Sequence, residues 1–162
     1  MLLGKNRLLS IVAATGLCAV LGTMACAAPA KRRAALKPAS PAAKAVLRTA
    51  RSYLREEETK RKTPKDCSDY VRRVFSEHGF DLPRTSEEMS VAGSRVASSK
   101  ELAMGDLVFF SGEKVSRIVG HVGIYVGNGI FIHLPSTRVV TMESLYSDYY
   151  RKRYLSARRV IR

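Results

Sequence analysis

The sequence predicts an α+β domain in which N-terminal helices pack on an antiparallel β-sheet. Between Ala45 and Phe75 the apolar residues recur at helical spacing, whereas from Leu107 onward they gather into short runs rich in Val, Ile and Phe. Gly127-Asn128-Gly129 between two such runs is a hairpin signal, which makes neighbouring strands antiparallel. Helical patterns that precede the strand patterns, rather than alternating with them, segregate the two kinds of structure.

Ahead of this domain the chain opens with Lys5 and Arg7, an uncharged run from Leu8 to Ala25, and the small residues Ala25-Cys26-Ala27-Ala28. Residues 1–27 read as a secretory signal peptide. Alanine and glycine make the run weakly apolar and small residues close it, which favours cleavage over a membrane anchor. Cys26 has two readings, a lipid anchor on the first residue of a lipoprotein or a residue removed with the leader. Thr23 stands where a lipobox usually carries leucine, and Ala25-Cys26-Ala27 suits ordinary signal peptidase equally well. Residues 28–41, mostly Ala, Pro, Lys and Arg, have little to bury and form a flexible basic tether. Residues 42–162 are left for one domain with one core.

Ser40-Pro41 starts the first helix, with Ala45, Val46, Ala50, Tyr53 and Leu54 on one face. The stretch from Glu56 to Lys62 carries no apolar residue and is a solvated helix end or a loop at the mouth of a site. Asp66 caps a second helix whose buried face is Cys67, Tyr70, Val71, Val74 and Phe75, and Gly79 closes it. Thr85 and Glu88 form a capping box for a short helix to Ala92. A turn from Leu102 to Asp106 then delivers Leu107-Val108-Phe109-Phe110, whose unbroken apolarity implies burial on both faces. Lys114 to Arg117 is a surface loop. The hairpin pairs His121–Val126 with Ile130–Leu134. Arg138–Met142 and Tyr154–Ile161 supply further strands around a polar and aromatic stretch, 144–150.

The formal charge of +14 is uneven. Residues 30–65 carry +9 and 151–162 carry +6, while 66–150 carry −3. Positive charge lies in the flanks and not around Cys67. For an exported chain without a nucleic-acid motif, this points to an anionic envelope surface rather than to nucleic acid.

Loss of the leader makes Cys67 the only cysteine of the folded part, so no internal disulfide forms and an unpaired thiol in an oxidising compartment implies use. On the first turn of a helix, free N–H groups and the dipole should raise its thiolate fraction. A thiol nucleophile needs an imidazole to take and return its proton, and a third group to hold that ring. His121 and His133 are the candidates. A single histidine is more often structural, but the three residues together favour chemistry. Zinc on Cys67, His121 and His133 lacks any CxxC or HExxH signature, so neither metal nor cofactor is expected. His78, at a helix end, reads as a charge-dipole partner.

Strand parity constrains the hairpin. A two-residue Asn128-Gly129 turn would pair Gly127 with Ile130 and set His133 opposite Ile124, away from His121. A three-residue loop pairs Val126 with Ile130, Tyr125 with Phe131 and Gly123 with His133, which puts both histidines on one face. Function selects the second, with Gly129 at positive φ and His121 between Cys67 and His133.

From about Ala45 onward the chain resembles the NlpC/P60 family of bacterial cell-wall cysteine peptidases. The matching pieces are Asp66-Cys67-Ser68, Leu82-Pro83-Arg84-Thr85-Ser86, Gly105-Asp106-Leu107-Val108-Phe109-Phe110, Gly120-His121-Val122-Gly123-Ile124-Tyr125, Phe131-Ile132-His133 and the end from Arg153 to Ile161. The resemblance implies a papain-like core and hydrolysis of peptidoglycan peptide stems, commonly after γ-D-glutamate. It implies Cys67 as nucleophile, His121 as base and His133 as the residue that orients His121. Asp66, Ser68 and Tyr53 are candidates for substrate binding or oxyanion stabilisation. Two positions depart from the family. The loop before Cys67 lacks the usual tyrosine and glycines, leaving Tyr53 as the nearest tyrosine, and Asp69 replaces a glycine where its charge would oppose a thiolate. The alternatives are a non-catalytic envelope-binding domain, and an amidase or acyltransferase using the same Cys-His pair.

Overall fold

The computed structural model describes residues 39–54 and 63–161. The expected leader, Cys26, most of the tether and the 56–62 loop lie outside the described residues. Ser40 caps α1 (Pro41–Ser52) by accepting from the Ala43 N–H, with Pro41 in the first turn, and the helix buries Ala43, Val46, Leu47 and Ala50. Asp66 caps α2 (Cys67–Ser76), which buries Tyr70, Val71, Val74 and Phe75, and Gly79 follows at φ +78°. The Tyr70 hydroxyl donates to the Ala50 carbonyl at 3.0 Å, and His78 Nε2 meets Thr49 Oγ1 at 2.9 Å. His78 thus ties the two helices together. The capping box of Thr85 and Glu88 is present on α3 (Ser86–Met89).

The sheet contains β1 (Ser94–Arg95), β2 (Leu107–Ser111), β3 (Val119–Gly127), β4 (Ile130–His133), β5 (Thr141–Ser144) and β6 (Tyr154–Arg159), in the order β1-β6-β2-β3-β4-β5. Every pairing is antiparallel. Strands β2 to β5 form the expected meander, but β6 returns across the sheet to lie between β1 and β2. The connection from β5 contains α4 (Asp148–Arg153), where the sequence suggested only a polar and aromatic stretch. Alternation along β2 divides the core: Leu107 and Phe109 join the α1–α2 side, Val108 and Phe110 a second cluster with Tyr125, Phe131, Leu145 and Ala157. That division explains the strand's unbroken apolarity.

The hairpin corrects one expectation and keeps its consequence. The turn is the two-residue Asn128-Gly129, with φ of 53° and 76°, and Gly127 pairs with Ile130. Positive φ at both central residues is what the right-handed twist of the strands favours. Val126 is then an extra residue, so that Tyr125 still faces Phe131. A bulge, not a longer loop, restores the parity that the histidines need. Continuing that register brings His133 beside Gly123, where an added Cβ would lie 2.6 Å from Phe131 Cδ2 and 3.3 Å from His133 Cβ.

The turn entering β2 is fastened by Asp106, 1% exposed, which accepts from Arg159 Nε and Nη2 at 2.8 Å each and from the Ala103 N–H at 2.7 Å. Removing the carboxylate leaves these donors unpaired beside the core. Asp106→Ala is expected to lower unfolding free energy by about 2–3 kcal/mol in urea titration, given a half-screened arginine partner. A change below about 0.5 kcal/mol would show the pair to be incidental.

Candidate active site

Cys67 is the first residue of α2, and its sulfur faces the Val122 N–H of β3 and the N–H groups of the helix start, which favour a thiolate. The helix start thus meets the strand one residue after His121. Cys67 and His121 line one cleft of about 280 Å3 with Lys65, Asp66, Leu134, Pro135, Ser136 and Arg138. His121 also borders a neighbouring pocket of about 200 Å3 lined by Glu113, Gly120, Tyr149 and Tyr150 among others. A larger cavity of about 590 Å3 runs along α1 between Lys44, Arg48, Arg51 and Met104. Neither cysteine nor histidine is among its described lining residues, and chemistry rather than volume singles out the Cys67 cleft.

His121 Nε2 lies 2.7 Å from His133 Nδ1, with the rings nearly perpendicular at 88°. His133 is fully buried, and its Nε2 approaches the Tyr150 hydroxyl at 3.4 Å. The structure therefore brings Cys67, His121 and His133 together, with both imidazoles on one face of the hairpin. Among the described residues no group of three His, Cys, Asp or Glu is arranged to hold a metal ion.

The other candidates are placed differently. Tyr53 is buried, 7% exposed, and meets Tyr70 edge-on at 5.3 Å; it does not line the cleft. Asp66 lines the cleft while its carboxylate grips Arg84 through Nη2 at 2.6 Å and Nη1 at 3.1 Å. Ser68 closes the network, donating to Asp66 at 2.7 Å and accepting from Arg84 at 2.9 Å. The Arg84 hydrogen bond holds the Asp66 carboxyl well below the usual carboxylate range against the opposing effect of burial. Arg84 is a partner that no local spacing connects to Asp66; only its place in the Leu82–Ser86 motif singled it out. The contact of Tyr150 with His133 has no sequence signal, because it depends on α4 meeting β4 in space.

Electrostatics reverse one expectation. Burial, assisted by the Asp66 charge, pushes the Cys67 thiol above its ordinary value and outweighs the Val122 and Ser68 N–H groups. Burial also lowers His121 to about 4; burial, with His121 alongside, lowers His133 to about 3. The resting array is thus a neutral thiol and two neutral imidazoles. Asp69, 4% exposed, pays desolvation but is held ionised by the Lys65 N–H at 2.8 Å and by Arg73 at 2.9 Å. Its charge is paired, and of the two aspartates it is Asp66 that adds to the effect of burial on the thiol.

Fold and cleft together define an α+β protein that sets a cysteine at a helix start against two strand histidines. The sequence profile of the NlpC/P60 family matches residues 56–159, and the chain belongs to that family. It is 42% identical over 97 residues to the Escherichia coli K12 murein DD-endopeptidase MepS/murein LD-carboxypeptidase, covering 59% of this chain and 50% of that one. It is 33% identical over 95 residues to the γ-D-glutamyl-L-lysine dipeptidyl-peptidase of Bacillus subtilis 168, covering 58% and 32%. The chain thus spans half or less of the length of these relatives. A crystal structure of an NlpC/P60 family protein from Bacillus cereus superposes with a TM-score of 0.65 at 29% identity, covering 76% of this chain and 41% of that one.

Two imidazoles held below 6.5 make the folded state bind fewer protons than the unfolded chain as pH falls from about 6.5 to about 4. Stability is therefore expected to decline through that window as acid is added. Urea midpoints should fall between about pH 7 and about pH 4.5, and His133→Gln should flatten the decline. A wild-type midpoint that does not move would contradict burial of the neutral pair.

Proposed function

We propose that the protein is an exported cysteine peptidase that hydrolyses amide bonds in the peptide stems of peptidoglycan. The observation that carries this reading is His121, whose Nε2 is engaged by His133 at 2.7 Å while the residue shares a cleft with Cys67. Nδ1 of His121 has no hydrogen-bond partner among the described residues, which leaves it for the thiol. As Cys67 Sγ attacks the substrate carbonyl carbon, its proton passes to His121 Nδ1, so the unfavourable thiolate need not accumulate beforehand. The Cys67 N–H, at the helix start and without a hydrogen-bond acceptor among the described residues, can donate to the developing oxyanion. Collapse breaks the C–N bond, the leaving amine takes the His121 proton, and a thioester remains. Water, deprotonated by His121, then attacks the thioester carbonyl carbon and releases the carboxylic acid and the thiol.

The relatives' names specify different bonds, so the bond following γ-D-glutamate that the family resemblance implies is the finer part of the proposal. Purified peptidoglycan digested with wild type and Cys67→Ala tests both levels. Fragments cut within the stem and absent with Cys67→Ala are expected, and their masses identify the bond. Digests indistinguishable from Cys67→Ala would instead favour an envelope-binding domain, and release of whole stems would favour an amidase.

The same reading keeps residues 1–27 as an export signal and 28–41 as a basic tether to an anionic wall, with residues 42–162 as the catalytic domain. The C-terminal cations are less available than their number suggests. Arg153 donates to the Gly112 and Glu113 carbonyls, Arg158 to Ser90 and Arg159 to Asp106. Attachment then falls to the N-terminal flank and the exposed Lys44, Arg48 and Arg51 of α1. Binding to cell walls should weaken steeply as salt rises above about 0.1 M, where screening acts within about 10 Å. Salt-insensitive sedimentation with walls would point to specific contacts instead.

A further inference from the structure

The path open to a substrate does not end at the thiol. The cleft around Cys67 and the neighbouring pocket of about 200 Å3 share His121, Pro135 and Ser136, so a chain lying over Cys67 can run on past His121 into that pocket. Cys67 borders only the first of the two. Chemistry orients the chain across them. The acyl half stays on the Cys67 sulfur, whereas the leaving amine takes its proton from His121, so the residue bearing that amine lies on the side of His121 away from the thiol. The pocket there is walled by the Phe110, Tyr149 and Tyr150 rings, and Glu113 is the only Asp, Glu, Lys or Arg among its described lining residues. The Glu113 carboxylate makes no hydrogen bond or ion pair among the described residues. The backbone that carries it is nonetheless fixed. Arg153 donates to the Gly112 carbonyl at 3.3 Å, the Glu113 carbonyl at 2.9 Å and the Tyr149 carbonyl at 3.1 Å, and its guanidinium lies 3.8 Å from the Tyr149 ring centroid. Arg153 thus ties residues 112–113 to α4 and leaves the carboxylate itself unengaged.

We propose that this pocket is the subsite for the residue on the amine side of the cut bond, and that Glu113 sets its specificity for a side chain ending in a cation, the ammonium of a diamino acid. The inference rests on the reading of Cys67 as nucleophile and of His121 as the group that protonates the leaving amine. Aromatic walls cover a methylene stem, and their electron-rich faces favour a cation over an anion. Glu113 supplies the opposite charge. An acidic side chain in the same place meets an unpaired carboxylate, and a neutral one gains the walls but no ion pair. Glu113 is exposed, so the pair it forms is solvated and of modest strength, about fivefold in kcat/KM. Its role is discrimination between substrates and not the chemical step.

Two synthetic stem peptides that differ only on the amine side of the cut, one with γ-D-glutamyl-lysine and one with γ-D-glutamyl-norleucine, test the assignment. Norleucine keeps a methylene stem and lacks the ammonium. The ratio of kcat/KM, lysine over norleucine, should exceed one in wild type, fall about fivefold in Glu113→Gln and fall further in Glu113→Lys. A ratio unchanged in both variants would overturn the proposal, as would a wild-type preference for norleucine. A second arm needs no turnover. Calorimetric titration of Cys67→Ala should show tighter binding of the lysine peptide, and adding Glu113→Gln should cut that preference about fivefold; a preference that survives the second substitution counts against the proposal in the same way. The underlying reading fails separately. If wild type cuts neither peptide, or Cys67→Ala still cuts, the peptidase assignment falls and the binding arm still judges the pocket. If wild type cuts, Cys67→Ala does not, and the ratio ignores Glu113, only the role of Glu113 falls.

Discussion

The 2.7 Å contact between His121 and His133 exists because β3 carries one more residue than β4 across their hairpin. With the Asn128-Gly129 turn alone, His133 would point to the α2 side and His121 to the other. The Val126 bulge shifts the register by one, and a one-residue shift moves every side chain to the opposite face. Gly123 then supplies the space, since any side chain there would collide with Phe131. On the same strand, the Val122 N–H faces the Cys67 sulfur. One strand therefore carries the imidazole and, one residue on, the N–H that favours the thiolate.

Within that frame the charges are arranged around the array and not in it. Asp66 is bound to Arg84, and Asp69 to Arg73 and the Lys65 N–H, while the thiol and both imidazoles are neutral at rest. A buried neutral pair avoids the cost of holding two uncompensated charges in a poorly solvated site. In the proposed reaction, proton transfer from Cys67 to His121 is coupled to attack on the carbonyl. The Asp69 carboxylate is engaged by the Lys65 N–H and by Arg73 Nε and Nη2, so its charge is not left to face the thiol.

What the sequence made legible was local. Caps such as Ser40, Asp66 and Thr85 announce themselves within four residues, because the groups they satisfy belong to the adjoining turn. The apolar run of β2 and the Asn-Gly turn are equally local, and the ordered motifs around Cys67, His121 and His133 placed the chain in its family. Strand parity requires both histidines on one face, and a bulge rather than a longer loop satisfies it: a bulge depends on cross-strand pairing, which no stretch of one strand encodes. The helix α4 is only six residues long and is held by tertiary contacts of Tyr150, so propensity did not reveal it. The return of β6 to β2, like the gathering of Arg84 onto Asp66, is set by partners tens of residues away. A helix start favours the thiolate, but the burial that accompanies this one, which a local pattern does not report, outweighs it.

The claim on which the account turns is that Cys67 forms a covalent acyl intermediate with its proton taken by His121. Rapid acid quenching of the enzyme with a stem-peptide substrate, followed by intact mass and peptide mapping, tests it directly. The account predicts an adduct equal to the acyl half of the substrate, located on Cys67 and absent from His121→Ala. Turnover of the same substrate with no adduct at any quench time, together with full activity in Cys67→Ser, would contradict it.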